Sequence, residues 1–441
     1  MNDGPPSIED RPHPLQASER RLARILQGAV VVGLGILLAA DLFGSGDDDR
    51  SADTTAAAPA TTPPTTTASP SATVDTTVAT TEPTIDTPTT TLSAVVARPA
   101  RAFTLVATGD IISHGAVAER AAAAGGGNGT GWDFTELFAR VRPILTGADL
   151  ALCHLESPLS RRDDDLSYRG TFRVPSSLAD AIADAGYDGC SLASNHSLDS
   201  GPSSVTSTLH HLRRVGLATT GMAEAAEAAG PAWYEPGGIR VAHLSVTDLL
   251  NGRNLPLDPP WMVPHLDVDR VVAEARAARA AGAEFVVVSV HWGEEYRAEP
   301  TDRQRTAGAR LLTVPEVDLV LGHHAHVVQP VVLRDGDALA YGLGNFLTNQ
   351  PGDSANPCLS CPPETQDGLI AWFQVQADDS GVAVVDAGYV PTWVDREHTH
   401  QVVPIGVDDP DHVDPGVLAA SAARTAAVVE PALRRLEFTA G

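Results

Sequence analysis

Residues 318–331 read DLVLGHHAHVVQPV. An apolar run, 317–321, meets Gly322 and then three imidazoles in four positions. A short apolar run bounded by glycine reads as a buried strand. His324 and His326 alternate, so on an extended segment both rings face one way and can reach one cation. The same grammar recurs to either side. The run 103–107 leads into Thr108-Gly109-Asp110, and 149–153 into His154-Leu155-Glu156. The run 188–192 leads into Ser194-Asn195-His196, 284–290 into His291-Trp292-Gly293, and 339–341 into Gly342-Leu343-Gly344-Asn345. Between these runs, 176–185, 203–215, 268–281 and 301–312 read as helices, with Ser176 and Thr301 as caps and a glycine behind the first three. Strands alternating with helices predict an α/β fold, and ligands in such folds collect beyond the carboxyl ends of the strands.

Beyond Gly368 the helices drop out. Residues 369–375, 382–390 and 398–403 read as successive strands, an antiparallel portion packed on the first sheet. Residues 417–436 are Ala-rich and read as helix, broken near Pro431.

The chain has 441 residues, 43% hydrophobic, so a sizeable core is available. Thirty Lys+Arg against 56 Asp+Glu give a formal charge of −26. That charge repels polyphosphates, so nucleic acid is not an expected partner. Four cysteines are too few for a disulfide scaffold. Cys153 and Cys190 are expected to be buried thiols. Cys358 and Cys361 can close a small disulfide loop outside the cell.

The amino-terminal third has a different character. Residues 25–43, ILQGAVVVGLGILLAADLF, approach the ~20 apolar residues that cross a bilayer as a helix. Arg20, Arg21 and Arg24 precede them, so residues 1–24 are expected in the cytoplasm and the rest of the chain outside. A cleaved leader is the alternative. Residues 44–100 are rich in Thr, Pro, Ala and Ser without apolar periodicity, and are expected to be a disordered linker. A folded domain at 101–405 and a helical extension at 406–441 complete the expected organisation.

The side chains collected at the strand ends are Asp110, Glu156, Asn195, His196, His291, His324 and His326. Carboxylates, an amide and imidazoles are ligand types for Mn, Fe, Zn or Mg. A carboxylate bridging two such ions, roughly 3.5–4 Å apart, suits phosphoester hydrolysis. His196 is the candidate general acid. Trp292, Glu295 and Asn345 are candidates to line a substrate groove. Arg161, Arg162, Arg169 and Arg173 are candidates to meet an anionic polymer.

In this order the segments TGDIISHG (108–115), CHLESPL (153–159), SLASNHSLDSG (191–201), VVVSVHWGEEY (286–296), DLVLGHHAHVVQPV and YGLGNFL (341–347) resemble the motifs of the CapA family of capsule-synthesis proteins. That family is associated with poly-γ-glutamate capsule formation and belongs to the calcineurin-like metallophosphoesterase superfamily. The resemblance implies two facing mixed β-sheets flanked by helices, and a membrane-anchored domain outside the cell. It implies two divalent metal ions, with Asp110, Glu156, Asn195, His291, His324 and His326 as ligands, Glu156 in the bridging place, and His196 as acid. The chain departs from the superfamily's Asp-x-His at Ile112, with His114 the nearest imidazole. Position 154 is His and 194 is Ser, where the family usually has Asn. The expected function is metal-dependent hydrolysis within capsule or polyglutamate synthesis. The alternative is a non-catalytic scaffold or polymer-binding subunit of an envelope-synthesis complex. A secreted nucleotidase shares the metal chemistry, but the chain shows no clear aromatic sandwich for a base.

Overall fold

The computed structural model describes residues 101–126, 131–251, 259–352 and 358–437. The expected tail at 1–24, span at 25–43 and linker at 44–100 lie outside the described residues. Among the described residues, no helix is long and apolar enough to cross a membrane.

In chain order the strands are β1 (Arg101–Ile111), β2 (Leu150–Leu155), β3 (Ser167–Arg169), β4 (Thr171–Arg173), β5 (Gly189–Ser191), β6 (Ala218–Thr220), β7 (Ala232–Tyr234), β8 (Val241–Thr247), β9 (Phe285–His291), β10 (Leu319–His323), β11 (Val331–Arg334), β12 (Asp337–Ala340), β13 (Asn345–Leu347), β14 (Asp367–Asp378), β15 (Gly381–Val394), β16 (Val402–Pro404) and β17 (Arg434–Arg435). The helices are α1 (Gly115–Ala124), α2 (Arg142–Gly147), α3 (Leu178–Ala185), α4 (Pro202–Arg214), α5 (Val268–Ala280), α6 (Asp302–Leu311) and α7 (Pro415–Val429).

Two mixed sheets result. One runs β16-β15-β14-β1-β2-β5-β6, with β13 also on β1 and β17 on β15. The other runs β11-β12-β10-β9-β8-β7, and β3-β4 form a separate hairpin. Alternation along each strand sorts the side chains into layers. Phe103, Leu105, Leu150 and Leu152 of the first sheet share a core with Phe285, Val287, Leu319 and Leu321 of the second. Phe103 meets Phe285 edge-on at 6.0 Å between ring centres. On the outer face of the first sheet, Val106, Ala151 and Cys190 pack against residues of α1, α3 and α4. On the outer face of the second, Val286, Val288 and Val290 pack against α5 and α6. A strand covered on both faces needs no polar alternation, which explains the unbroken FVVVSV run.

The four helices expected between the strands form within a residue or two of their expected limits. Thr301 caps α6 in a reciprocal box with Gln304. Gly186 ends α3 at φ 110°, where a side chain would be strained. The carboxy-terminal helix stops at Val429, before Pro431, and then β17 joins the first sheet beside β15. Residues 415–435 are thus packed on the sheet. The two cysteine pairs are both disulfides, Cys153–Cys190 and Cys358–Cys361. The first corrects the expectation of buried thiols: parallel pairing sets Cys153 directly beside Cys190.

Candidate metal centre

Strands β1, β2 and β5 run parallel to one another in the first sheet, as β9 and β10 do in the second, and all five end at the same site. Asp110 is register partner of His154, and His291 of His323. Two glycines allow close approach. A Cβ on Gly109 would collide with the Gly344 carbonyl, and one on Gly322 with that of Tyr341. The Asp110 amide instead donates to Gly344 O at 2.9 Å, which joins the GD and YGLGN segments.

Asp110 Oδ1 lies 3.0 Å from His323 Nδ1, and Oδ2 accepts from the His324 amide at 3.0 Å. His326 Nδ1 is 3.3 Å from Oδ2, and 2.9 Å from Asn345 Oδ1. Glu156 Oε1 is 3.7 Å from His326 Nε2 and 4.0 Å from His291 Nε2. Asn195 Oδ1 is 3.0 Å from His291 Nε2. An amide oxygen only accepts, so His291 Nε2 carries a proton here and Nδ1 accepts from His154 Nε2 at 3.0 Å. His154 Nδ1 is in turn 2.8 Å from Ser191 Oγ.

His324 and His326 do converge, but by a different route from strand alternation. Both sit beyond the end of β10 at positive φ, 89° and 56°. Left-handed backbone at a non-glycine residue is costly and concentrates at functional sites. A bend of this kind aims both rings back at the carboxylates.

Burial pushes the Glu156 carboxyl up to about 7, against the attraction of His326. Burial lowers His326, but Glu156 and Asp110 overcome it and hold the imidazole up at about 10. Burial, with His324 and His154 beside it, holds His291 well below the usual imidazole range.

The donor set fits divalent cations. Both Glu156 oxygens and His324 Nδ1 are buried without a hydrogen-bond partner. Such orphans are expensive in a protein interior. Ligand atoms of Glu156, His291 and His324 lie within 4.8 Å of one another, as do those of Asp110, Glu156 and His326. Glu156 belongs to both groups, the bridging place.

Two further imidazoles join the cluster: His154 and His323, grouped with Asp110. Their rings stack at 4.0 Å. A signal for them existed. Leu150 and Leu152 face the inter-sheet core, as do Leu319 and Leu321, so period two carries His154 and His323 to that same face.

A cavity of about 630 Å³ opens beside the cluster, lined by His114, Phe172, Asn195, His196, Glu295 and His326 among others. His196 Nδ1 is 2.8 Å from Asp199 Oδ2. Glu295 is exposed on the cavity wall and groups with His324 and His326. Asn345 lies behind His326, with Nδ2 donating to Thr365 O at 2.8 Å. Trp292 is away from the cavity. It is buried among Leu311, Leu339 and Tyr341, and its Nε1 donates to Tyr341 O at 2.9 Å. His114 does not stand in for the imidazole missing at Ile112. Its Nδ1 accepts from the Asn349 amide at 3.3 Å, and its ring meets Phe172 edge-on. Arg162 pairs with Asp164 of its own loop and Arg173 of β4 with Asp165, while Arg169 lines the cavity.

Fold and site together define a two-sheet α/β protein with a buried carboxylate–imidazole cluster at its strand ends. A family model described as bacterial capsule synthesis protein PGA_cap matches residues 104–350, and the chain belongs to that family. The PGA biosynthesis protein CapA of Bacillus subtilis is 27% identical over 228 residues, which are 48% of this chain and 57% of that protein. The capsule biosynthesis protein CapA of Bacillus anthracis is 27% identical over 259 residues, 57% of this chain and 60% of that one. The chain therefore spans about three-fifths of the length of these relatives. Among solved structures, the calcineurin-like phosphoesterase YfkN of Bacillus subtilis aligns over 74% of this chain and 97% of its own, at 12% identity and a TM-score of 0.39.

Proposed function

We propose that this chain is a membrane-anchored, extracytoplasmic hydrolase of capsule or polyglutamate synthesis. Its cluster would hold two divalent cations and cleave a phosphoester or an allied bond. The carrying observation is Glu156, buried with both oxygens unpartnered between two sets of potential ligands. Glu156 with His291, His324 and Asn195 would hold one cation, and Asp110 with His326 and the shared Glu156 the other. Bound cations would supply Lewis-acid polarisation of a phosphoryl oxygen and a water of lowered pKa.

The chain's own residues would do the rest. Asn345 and Asp110 fix the His326 ring. Asp199 holds His196 by Nδ1, leaving Nε2 to pass a proton to the leaving oxygen. Arg169 gives the cavity a cation to meet an anionic substrate. Residues 25–43, behind three arginines, support the anchor. Two disulfides support an oxidising compartment.

The test uses the full chain, stripped by chelator and reloaded with Mn²⁺, on a generic phosphodiester. Turnover should appear with the ion. In His196→Ala it should fall at least about 100-fold while the ion is still taken up. Unchanged turnover in that variant would remove His196 from the chemistry. A second reading, a non-catalytic subunit of the synthesis complex, is favoured by Ile112 in the place of a ligand histidine. A chain that holds cations yet cleaves no ester would establish it.

A further inference from the structure

A second group of ligand-type side chains lies apart from the cluster, where the turn after β15 meets the segment before α7. The Asp395 side chain is fully buried, 0% exposed, while His398 and His412 are 57% and 40% exposed. His398 Nδ1 lies 3.0 Å from Asp395 Oδ1, and His412 Nε2 lies 2.8 Å from Oδ2. The two rings meet edge-on with centres 5.0 Å apart. One ligand atom from each residue lies within 4.8 Å of the others. The carboxylate is also aimed independently of the histidines: Thr399 donates its amide to Oδ2 at 3.2 Å and its hydroxyl at 2.6 Å. The adjacent cation, Arg396, turns away to the carbonyl of Gly352, the amide oxygen of Gln366 and the carboxylate of Glu397.

We propose that Asp395, His398 and His412 form a surface site for one divalent cation of the zinc class. Two imidazoles and a carboxylate, with the fourth place open to solvent, are a common zinc donor set. Carboxylate–imidazole contacts near 3 Å need little rearrangement to admit an ion at ~2.0–2.2 Å from each atom. Thr399 supplies the outer contact that orients the carboxylate.

The site would brace the cavity. Its ligands join two segments separated by 17 residues. The same turn carries His400, whose amide donates to Asp395 O at 2.7 Å. His400 Nε2 is 2.9 Å from Asn349 Oδ1, and Asn349 lines the cavity beside the cluster. An ion on Asp395 would thus stiffen the turn that holds one cavity wall.

Zinc alone is the probe, on the full chain stripped with chelator, reloaded and dialysed. Wild type should retain one more zinc per chain than His398→Ala/His412→Ala, by elemental analysis. Zinc should raise the thermal midpoint by about 3 °C more in wild type than in the variant. Both histidines are substantially exposed, and equal midpoints in chelator would show that the variant is folded. The single variants His398→Gln and His412→Gln should each lose the same equivalent. Equal zinc content in wild type and variants overturns the proposal. Glu156→Gln separates the two sites. It should lose zinc from the inter-sheet cluster and keep the equivalent that depends on His398 and His412. Loss of that equivalent in Glu156→Gln would also overturn it.

Discussion

Trp292 and His291 are neighbours in sequence and face opposite layers. His291 looks into the inter-sheet cluster, and Trp292 packs beneath α6 with its ring 6.0 Å from that of Tyr341. Removing the indole leaves a cavity and an unpartnered Tyr341 carbonyl. Trp292→Ala should therefore cost about 3–5 kcal/mol by urea unfolding, with cation uptake unchanged. Unchanged stability with weakened substrate binding would put the indole at the cavity instead. At this scale the ligand set was legible because its members follow strand ends in a fixed order. His154 and His323 were legible in principle through the facing of Leu152 and Leu321. They were hidden because a histidine at a strand end beside apolar neighbours reads equally well as a satisfied core residue. Asp199 was hidden for another reason: its role is to hold His196 by a hydrogen bond three residues along the chain, and that spacing is common in any turn.

Among the elements, α7 shows how far a composition break can mislead. An Ala-rich stretch after the strands reads as an appended helix, because its apolar residues are small and its polar ones scattered. Its tie to the sheet is made by three side chains. Arg424 Nε and Nη2 donate to the two Asp367 oxygens at 2.7 and 2.9 Å, and Ser421 donates at 2.6 Å. Asp367 is 4% exposed and begins β14, next to the strand that carries Asp110. Burial pushes its carboxyl up, and Arg424 and Ser421 oppose that. Arg424→Ala would strand this carboxylate. The expected loss is about 2 kcal/mol, below the full figure for a buried pair because Arg424 is about one-third exposed. A double-mutant cycle with Asp367→Asn measures the coupling. A coupling near zero would mean that α7 is held by its apolar face alone, through Leu418, Ala422 and Val429.

For the whole molecule, the buried imidazoles set the response to acid. Burial, with His323 nearby, lowers His243 to about 3. Burial, with His326 and His196 nearby, lowers His114 to about 3. Neither belongs to the carboxylate–imidazole groups. An unfolded chain takes up protons at these positions below about 6.5, while the folded chain does not. The unfolded state then binds more protons, and stability falls as pH drops from about 6.5 towards 3. Each such group contributes about 1.4 kcal/mol per pH unit in that window. Glu156 works in the opposite direction without cations. With its folded value at about 7, it takes up a proton on folding between about 7 and 4.5 and offsets one imidazole there. His326, held at about 10, is protonated in both states below 6.5 and adds no slope. Acid sensitivity should thus steepen below about pH 4.5 in the stripped chain. His243→Gln can keep a hydrogen bond to Ser289, now 2.8 Å from the ring, and cannot titrate. Unfolding free energies from urea titrations at pH 7 and pH 5 should differ less in that variant than in wild type, by about 2 kcal/mol across the interval. If the two chains lose stability equally on acidification, His243 is not neutral in the folded protein, and the sensitivity must come from the cluster.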